Sequence, residues 1–326
     1  MKELAAELKK YKQVFVVCDQ NVEAFARKVA GLRTGNTRRG EPCSLLAITA
    51  DEAHKTIDTV MEICRWLCDN EADRDALLLA VGGGVTTDMA GFAASIYKRG
   101  IRYANIPTTL LSMVDAGIGG KTGVNLDGYK NLLGVIRQPE FTAIFPEVLE
   151  TLPERELRSG LAEMLKTFII KNPRHAYETA VSEGPTPELI QLAAGIKQES
   201  VEKDEFESGP RRKLNLGHTW AHAIEWWQKE TGREEQFTHG EAVAIGMVQA
   251  ARFAEKLGIA EEAGLAERLA KDLKACGLPT ELPCPEEDLL PAILKDKKTY
   301  GSKIKLVLPC RIGKVVVKTV PSESII

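Results

Sequence analysis

Three of the chain's five histidines stand in two short segments. In Asn215-Leu216-Gly217-His218-Thr219-Trp220-Ala221-His222 two imidazoles lie four residues apart, one helical turn, and a third opens the segment His239-Gly240-Glu241. Upstream, Gly160-Leu161-Ala162-Glu163-Met164-Leu165-Lys166 puts a carboxylate and an ammonium group three apart, on one face of a helix. One carboxylate with two imidazoles is the donor set of a catalytic divalent-metal site, which keeps a position open for substrate. The H-x-x-x-H spacing matches the H-E-x-x-H zinc arrangement, but Thr219 stands where that motif carries its glutamate. A buried histidine beside a carboxylate is more often a satisfied core group than a ligand. Spacing therefore suggests a metal without proving one.

A second group of residues suits a phosphorylated ligand. Gly82-Gly83-Gly84-Val85-Thr86-Thr87-Asp88 lies where a strand feeds a helix. Glycines there let the backbone approach a phosphate, and the helix N-terminus supplies amide donors and a positive dipole end. It is not the G-x-G-x-x-G fingerprint; a plain tight turn explains three glycines as well, and Asp88 fits a first-turn residue that complements the helix dipole. Downstream, Pro107-Thr108-Thr109-Leu110-Leu111 leads to Asp115-Ala116-Gly117-Ile118-Gly119-Gly120-Lys121-Thr122-Gly123-Val124-Asn125 and then Lys130-Asn131. So many hydroxyls, lysines and carboxamides on glycine-rich backbone have little use in a core. They suit a polyoxygenated, anionic small molecule.

The elements that must carry these groups change character along the chain. Residues 13–18, 44–48, 76–81 and 102–106 are short apolar runs of the buried parallel-strand kind, with a helical stretch at 56–70 between them. Strands separated by helices predict a parallel sheet covered on both faces. Beyond residue 149, segments 154–171, 187–203, 219–230, 240–257 and 261–276 show helical periodicity, and 304–308 and 315–317 read as strand pieces. The predicted fold is α/β: an N-terminal Rossmann-like parallel-sheet domain over 1–149 and a mainly α-helical domain over 150–326.

Bulk properties narrow the function classes. The 326 residues are 44% hydrophobic and 27% charged, a soluble globular balance, with net charge -3. Nothing global points to nucleic acid or an anionic membrane. No apolar run approaches the roughly 20 residues of a membrane span, and residues 1–12 are charged and amphipathic, without the apolar stretch of a secretory leader. Seven cysteines, with no second pair to complete Cys64 and Cys68, read as reduced thiols of a cytoplasmic protein.

The segments above continue as ordered motifs: G-G-G-V-x-x-D, P-T-T-L-L, V-D-x-x-x-G-G-K-T-G-V-N, K-N-x-x-G, Q-P, T-L-P-E-R-E-L-x-x-G-L-A-E-x-x-K, D-E-x-E-x-G-x-R, L-N-L-G-H-T-x-x-H-A-I-E and H-G-E-A-V-A-I-G-M. In order and content they resemble the 3-dehydroquinate synthase family of sugar-phosphate cyclases, from Asp19 to Asp296-Lys297-Lys298. The resemblance implies a dehydroquinate synthase-like fold and conversion of 3-deoxy-D-arabino-heptulosonate 7-phosphate to 3-dehydroquinate and phosphate, with catalytic NAD and Zn2+ or Co2+. Its alternatives are another sugar-phosphate cyclase, or a metal-dependent polyol or glycerol dehydrogenase.

Carried over by position, the resemblance implies metal ligands Glu163, His218 and His239, with His222 facing substrate instead. NAD falls to Asp19, Glu52, Lys55, Gly83, Gly84, Val85, Asp88, Thr108, Thr109, Lys130 and Thr151. Asp115, Lys121, Asn131, Lys166 and His222 take catalytic places, with Lys121, Asn131 and His222 around the phosphate. Lys197 and Arg211 hold the substrate carboxylate beside Asn215; Lys298 or Lys297 joins them, and Arg99 reaches the neighbouring subunit's substrate in a homodimer. No nucleic-acid or membrane partner is expected. The chain departs from the family pattern at Thr87, at Trp220 and Ala221, and in a longer stretch between His218 and His239.

Overall fold

Val14–Asp19 is apolar at every position up to Cys18, and a strand with no polar face must be covered on both sides. In a computed structural model, which describes residues 1–33, 43–127, 129–233, 236–295 and 303–325, it is an inner strand. Two compact units form, Met1–Leu152 and Pro153–Ile326. No helix among the described residues is long and apolar enough to cross a membrane, and all seven cysteines are free.

In the first unit, β1 (Val14–Asp19), β2 (Ser44–Ile48), β3 (Leu77–Gly82) and β4 (Arg102–Pro107) make a sheet of order β2-β1-β3-β4, parallel throughout. Side chains alternate across it, and so do the two cores. Phe15, Val17, Leu78 and Ala80 pack under α3 (Ile57–Asp69) and α4 (Gly84–Ile96). Val16, Cys18, Leu79 and Val81 face α1 (Lys2–Leu8) and α2 (Glu23–Gly31). The chain leaves β1 toward β2 and returns to β3 on the other side, so the sheet's topological switch point lies between the carboxyl ends of β1 and β3. Ligands of open α/β sheets bind at such a point. Thr56 caps α3 through a bond from Thr59 N, while Asn70 follows its last residue, which explains the helical signal over 56–70.

In this unit a hairpin was absent from the sequence reading. The glycine-rich segment forms an antiparallel hairpin, β5 (Lys121–Leu126) with β6 (Tyr129–Ile136). It lies so close to α4 that a Cβ on Gly91 would meet Thr122 Cγ2 at 2.4 Å.

In the second unit, α5 (Glu154–Ile170), α7 (Pro187–Lys203), α8 (His218–Glu230) and α9 (His239–Lys256) follow the periodic segments within a residue or two. The shorter α6 (Ala176–Glu183) and α11 (Glu286–Lys295) are additional. The helix expected over 261–276 starts later: α10 is Leu265–Ala275, because Gly264 adopts φ +71° just before it. The strand pieces close into a hairpin of β7 (Lys303–Arg311) and β8 (Lys314–Pro321). Helix α9 is buried on nearly every face, as its run of Ala, Gly and Val requires, and packs against α5, α8, α10 and β7.

Candidate active site

The metal-type donors are brought together by glycines at helix crossings. Gly240, next to His239, touches α5 so closely that a Cβ there would sit 2.0 Å from Ser159 O, and its amide donates to Ser159 Oγ at 3.1 Å. Ser159 is one turn before Glu163. A second contact joins α8 to α9: a Cβ on Gly246 would fall 2.1 Å from Gly217 O, and Gly217 itself has φ +80°. His218 follows directly. At the start of α9 Thr238 and Glu241 form a reciprocal capping box, with Arg155 on the Glu241 carboxylate.

Glu163, His218 and His239 thereby converge, with one donor atom from each inside 4.8 Å of the others. Glu163 is fully buried and neither oxygen makes a well-aligned hydrogen bond. What faces them is a set of nitrogens: Lys166 Nζ against one oxygen, with His239 Nε2 at 3.3 Å and His218 Nε2 at 3.9 Å from the other. Two donors each about 2.1 Å from one zinc ion stand at such separations. The second ring nitrogens are tied down. His218 Nδ1 lies 3.2 Å from Leu216 O, a carbonyl that can only accept, so Nδ1 carries the proton and Nε2 offers its lone pair. His239 Nδ1 lies 3.0 Å from Glu225 Oε1.

The charge states of the two imidazoles differ, and an ion would take the place of the proton on His239 Nε2. Burial and the Lys166 ammonium hold His218 down to about 3, so it is neutral. The lone pair of Nε2 and the Glu163 carboxylate are then two acceptors facing each other, which a positive ion between them satisfies. Burial opposes ionisation of Glu163, yet Lys166 and the two imidazoles hold its carboxyl well below the usual range. His239 is likewise opposed by burial, but Glu225 and Glu163 push it up to about 10. His222 stands outside the trio: it is exposed, its ring 5.3 Å from that of His218.

The expected carboxylate-binding cations are buried in the same unit, Lys197 on α7 and Arg211 in the turn Pro210–Asn215. Arg211 is 1% exposed, which excludes a solvated loop residue. Its neighbour Asp204 folds that turn, accepting from Ser208 N, Gly209 N and Arg211 N, and Arg211 Nη1 donates to Glu205 O at 2.5 Å. Asn215 Nδ2 donates to Glu207 Oε1. Glu225, Asp204 and Glu207 were overlooked in the sequence, though all three stand in the matched motifs H-A-I-E and D-E-x-E.

In the first unit, Gly83 caps α4 at the carboxyl end of β3, and Asp19 ends β1 next to it in the sheet, accepting from Asn21 N. Side chains at Gly83 and Gly84 would meet Thr109 and Ala116 at 3.0 Å, so these positions keep backbone amides accessible, as a nucleotide phosphate requires. The network beside them joins residues expected in different roles. Lys55 Nζ donates to Asp88 Oδ2 at 2.6 Å and to Asn131 Oδ1 at 2.5 Å. Asn125 Oδ1 accepts from Asn131 N, and its Nδ2 donates to Glu52 Oε1. Thr108 N donates to Gly82 O. Asp115 sits half-buried in the π-helical turn Ser112–Ala116, Val85 lies in the first turn of α4, and Lys121 and Lys130 are exposed on the hairpin. Arg99 and Thr151 are exposed and make no hydrogen bond or ion pair with that network. Lys297 and Lys298 lie outside the described residues.

With this geometry in place, comparison with known proteins is decisive. Family models of the N-terminal and C-terminal parts of 3-dehydroquinate synthase match residues 45–159 and 160–299. The chain belongs to the 3-dehydroquinate synthase family. The synthase of Dictyoglomus thermophilum is 43% identical over 86% of this chain and 81% of its own length. That of Pyrococcus abyssi is 39% identical over 99% of this chain and 94% of its own. Among solved structures, 2-epi-5-epi-valiolone synthase from Streptomyces hygroscopicus subsp. jinggangensis, with NAD+ and Zn2+ bound, superposes with a TM-score of 0.85 at 29% identity, covering 99% of this chain and 92% of that one.

Proposed function

We propose that this chain is a 3-dehydroquinate synthase of the shikimate pathway, a lyase that turns 3-deoxy-D-arabino-heptulosonate 7-phosphate into 3-dehydroquinate and phosphate. The observation that carries the reading is the convergence of Glu163, His218 and His239 with both Nε2 atoms turned toward one carboxylate oxygen. These three hold the divalent ion, Zn2+ or Co2+. The residues at the switch point of the sheet, Asp19, Gly83, Gly84, Val85, Thr108 and Thr109, hold NAD with Glu52, Lys55, Asp88, Lys130 and Thr151. Met1–Leu152 is thus the nucleotide unit and Pro153–Ile326 the metal and substrate unit.

Bound there, the ion supplies Lewis-acid polarisation of the substrate hydroxyl and NAD supplies a hydride acceptor that gives the hydride back. Lys197 and Arg211 bind and orient the carboxylate, Arg211 in a bidentate way. Lys121, Asn131 and His222 surround the phosphate, with Lys298 or Lys297. Once the hydroxyl carbon is a ketone, the neighbouring proton is acidic, and the substrate's own phosphate takes it as phosphate leaves. Asp115 and Lys166 hold or move protons beside the reacting carbon; Asn215 positions the substrate. The working assembly is a cytoplasmic homodimer, in which the exposed Arg99 reaches the partner's substrate.

The test is one assay with heptulosonate phosphate, NAD and zinc that follows phosphate and NADH together. Phosphate is released while NADH does not accumulate, because the hydride returns within each turnover. Stoichiometric NADH would mark a polyol dehydrogenase instead.

A further inference from the structure

The sequence motifs leave Glu225 without a task, and its position gives it one. Residues 218, 222 and 225 are spaced four and three apart, so α8 carries His218, His222 and Glu225 along a single face. The Glu225 side chain is only 11% exposed, and a carboxylate withdrawn from water requires a partner. Its Oε1 stands 3.0 Å from His239 Nδ1, while the opposite nitrogen of that ring, Nε2, faces Glu163 at 3.3 Å. We propose that Glu225 is the positioning residue of the metal centre: it fixes the His239 ring so that Nε2 is the ligating atom, and it adds a second negative charge to the centre. The inference rests on the metal assignment above and concerns a residue that does not itself touch the ion.

The two imidazoles are held differently, and that difference is informative. Leu216 O, a neutral carbonyl, fixes His218. A full carboxylate fixes His239, which makes its ring a stronger donor. With Lys166 against it, Glu163 offers a 2+ ion no net charge, and Glu225 restores a net negative charge to the centre. Glu225 is therefore expected to govern how tightly the ion is held. A helix-surface carboxylate serving only α8 would have no such influence.

The test is chelator-competition titration of Zn2+, with Co2+ absorption spectra, on the parent chain, Glu225→Gln and Glu225→Ala, together with thermal unfolding of each metal-free protein. Outer carboxylates of this kind govern about 10- to 100-fold in metal affinity. Glu225→Gln, which keeps an acceptor oxygen but loses the charge, falls toward the lower figure and shifts the Co2+ bands. Glu225→Ala falls toward the higher figure, and the metal-free proteins unfold close to the parent temperature. Affinities within twofold of the parent in both variants overturn the proposal. So does an affinity loss that only mirrors a loss of the metal-free fold. A parent chain that takes up no metal would instead sink the metal centre itself.

Discussion

At the residue scale the centre is a balance of buried charges, and single substitutions divide its roles. Glu163→Gln, His218→Ala and His239→Ala are each expected to lose bound metal and activity, whereas His222→Ala keeps the metal and loses rate; metal analysis of the four purified variants decides, and metal loss in His222→Ala would reverse the assignment. Glutamine is the better replacement at 163, because alanine removes both oxygens that face the buried Lys166 ammonium, and breaking a buried pair costs about 3–5 kcal/mol. Arg211 gives a sharper contrast. If it grips the substrate carboxylate, Arg211→Ala loses about 1.5–3 kcal/mol of charge-assisted binding, roughly ten- to a hundred-fold in kcat/KM. Arg211→Lys keeps the charge but not the planar fork and is also impaired, while Arg212→Ala, next in the turn, stays near the parent. Asp88 offers a pH signature. Burial pushes its carboxyl up to about 6, against the pull of Lys55. A carboxyl raised on folding contributes stability below its unfolded value of about 4 and loses it as pH rises through 6. The upper bound is about 3 kcal/mol. The unfolding temperature of ligand-free Asp88→Asn relative to the parent therefore climbs between pH 4 and 7; a flat difference would show that folding does not raise the Asp88 carboxyl.

At the element scale the site depends on how closely helices approach, and glycines set that distance. Gly240→Ala would drive a methyl into Ser159 O and Gly246→Ala would drive one into Gly217 O, both backbone atoms that cannot turn aside. Each should displace ligands beyond the roughly 0.5 Å within which such a centre must be held. Zinc affinity is expected to collapse along with stability. Gly195 on α7 is the control: a Cβ there meets nothing within 4 Å, so Gly195→Ala stabilises by about 0.5–1 kcal/mol and leaves zinc binding unchanged. Equal zinc affinity in Gly240→Ala and Gly195→Ala would refute the packing argument. The same elements show what was legible beforehand. Unbroken apolar runs marked the four parallel strands, which are covered on both faces, and 3.6-residue periodicity marked the long helices. The β5–β6 hairpin left none: β6 is exposed along most of its length and β5 buries three residues in a row, so no alternation arises. Glu163, His218 and His239 stood out as donor types, but their meeting depends on side-by-side helices far apart in sequence. Asp204, Glu207 and Glu225 were hidden for a related reason, since an acidic residue on a helix or turn reads as surface until its partner is seen.

At the scale of the molecule, Met1–Leu152 and Pro153–Ile326 each enclose their own core, and the proposed ligands divide between them. Metal should therefore stabilise the second unit directly, and the tryptophans provide a reporter for it. Of four, Trp66 alone lies in the first unit; Trp220, Trp226 and Trp227 are all on α8, the helix that begins with His218. Trp220 and Trp227 are buried, so their emission follows the packing of that helix. In Trp66→Phe, fluorescence then reports only the metal-bearing unit. An ion that binds the folded state alone adds about 2.7 kcal/mol at a hundred times its Kd. For a unit of this size that is a rise of roughly 5–10 °C in the unfolding midpoint. Zinc should produce this rise, a chelator should reverse it, and the added substitution His239→Ala should abolish it. A rise that survives His239→Ala would place the zinc elsewhere, and no rise in Trp66→Phe would mean that α8 does not help to hold a metal.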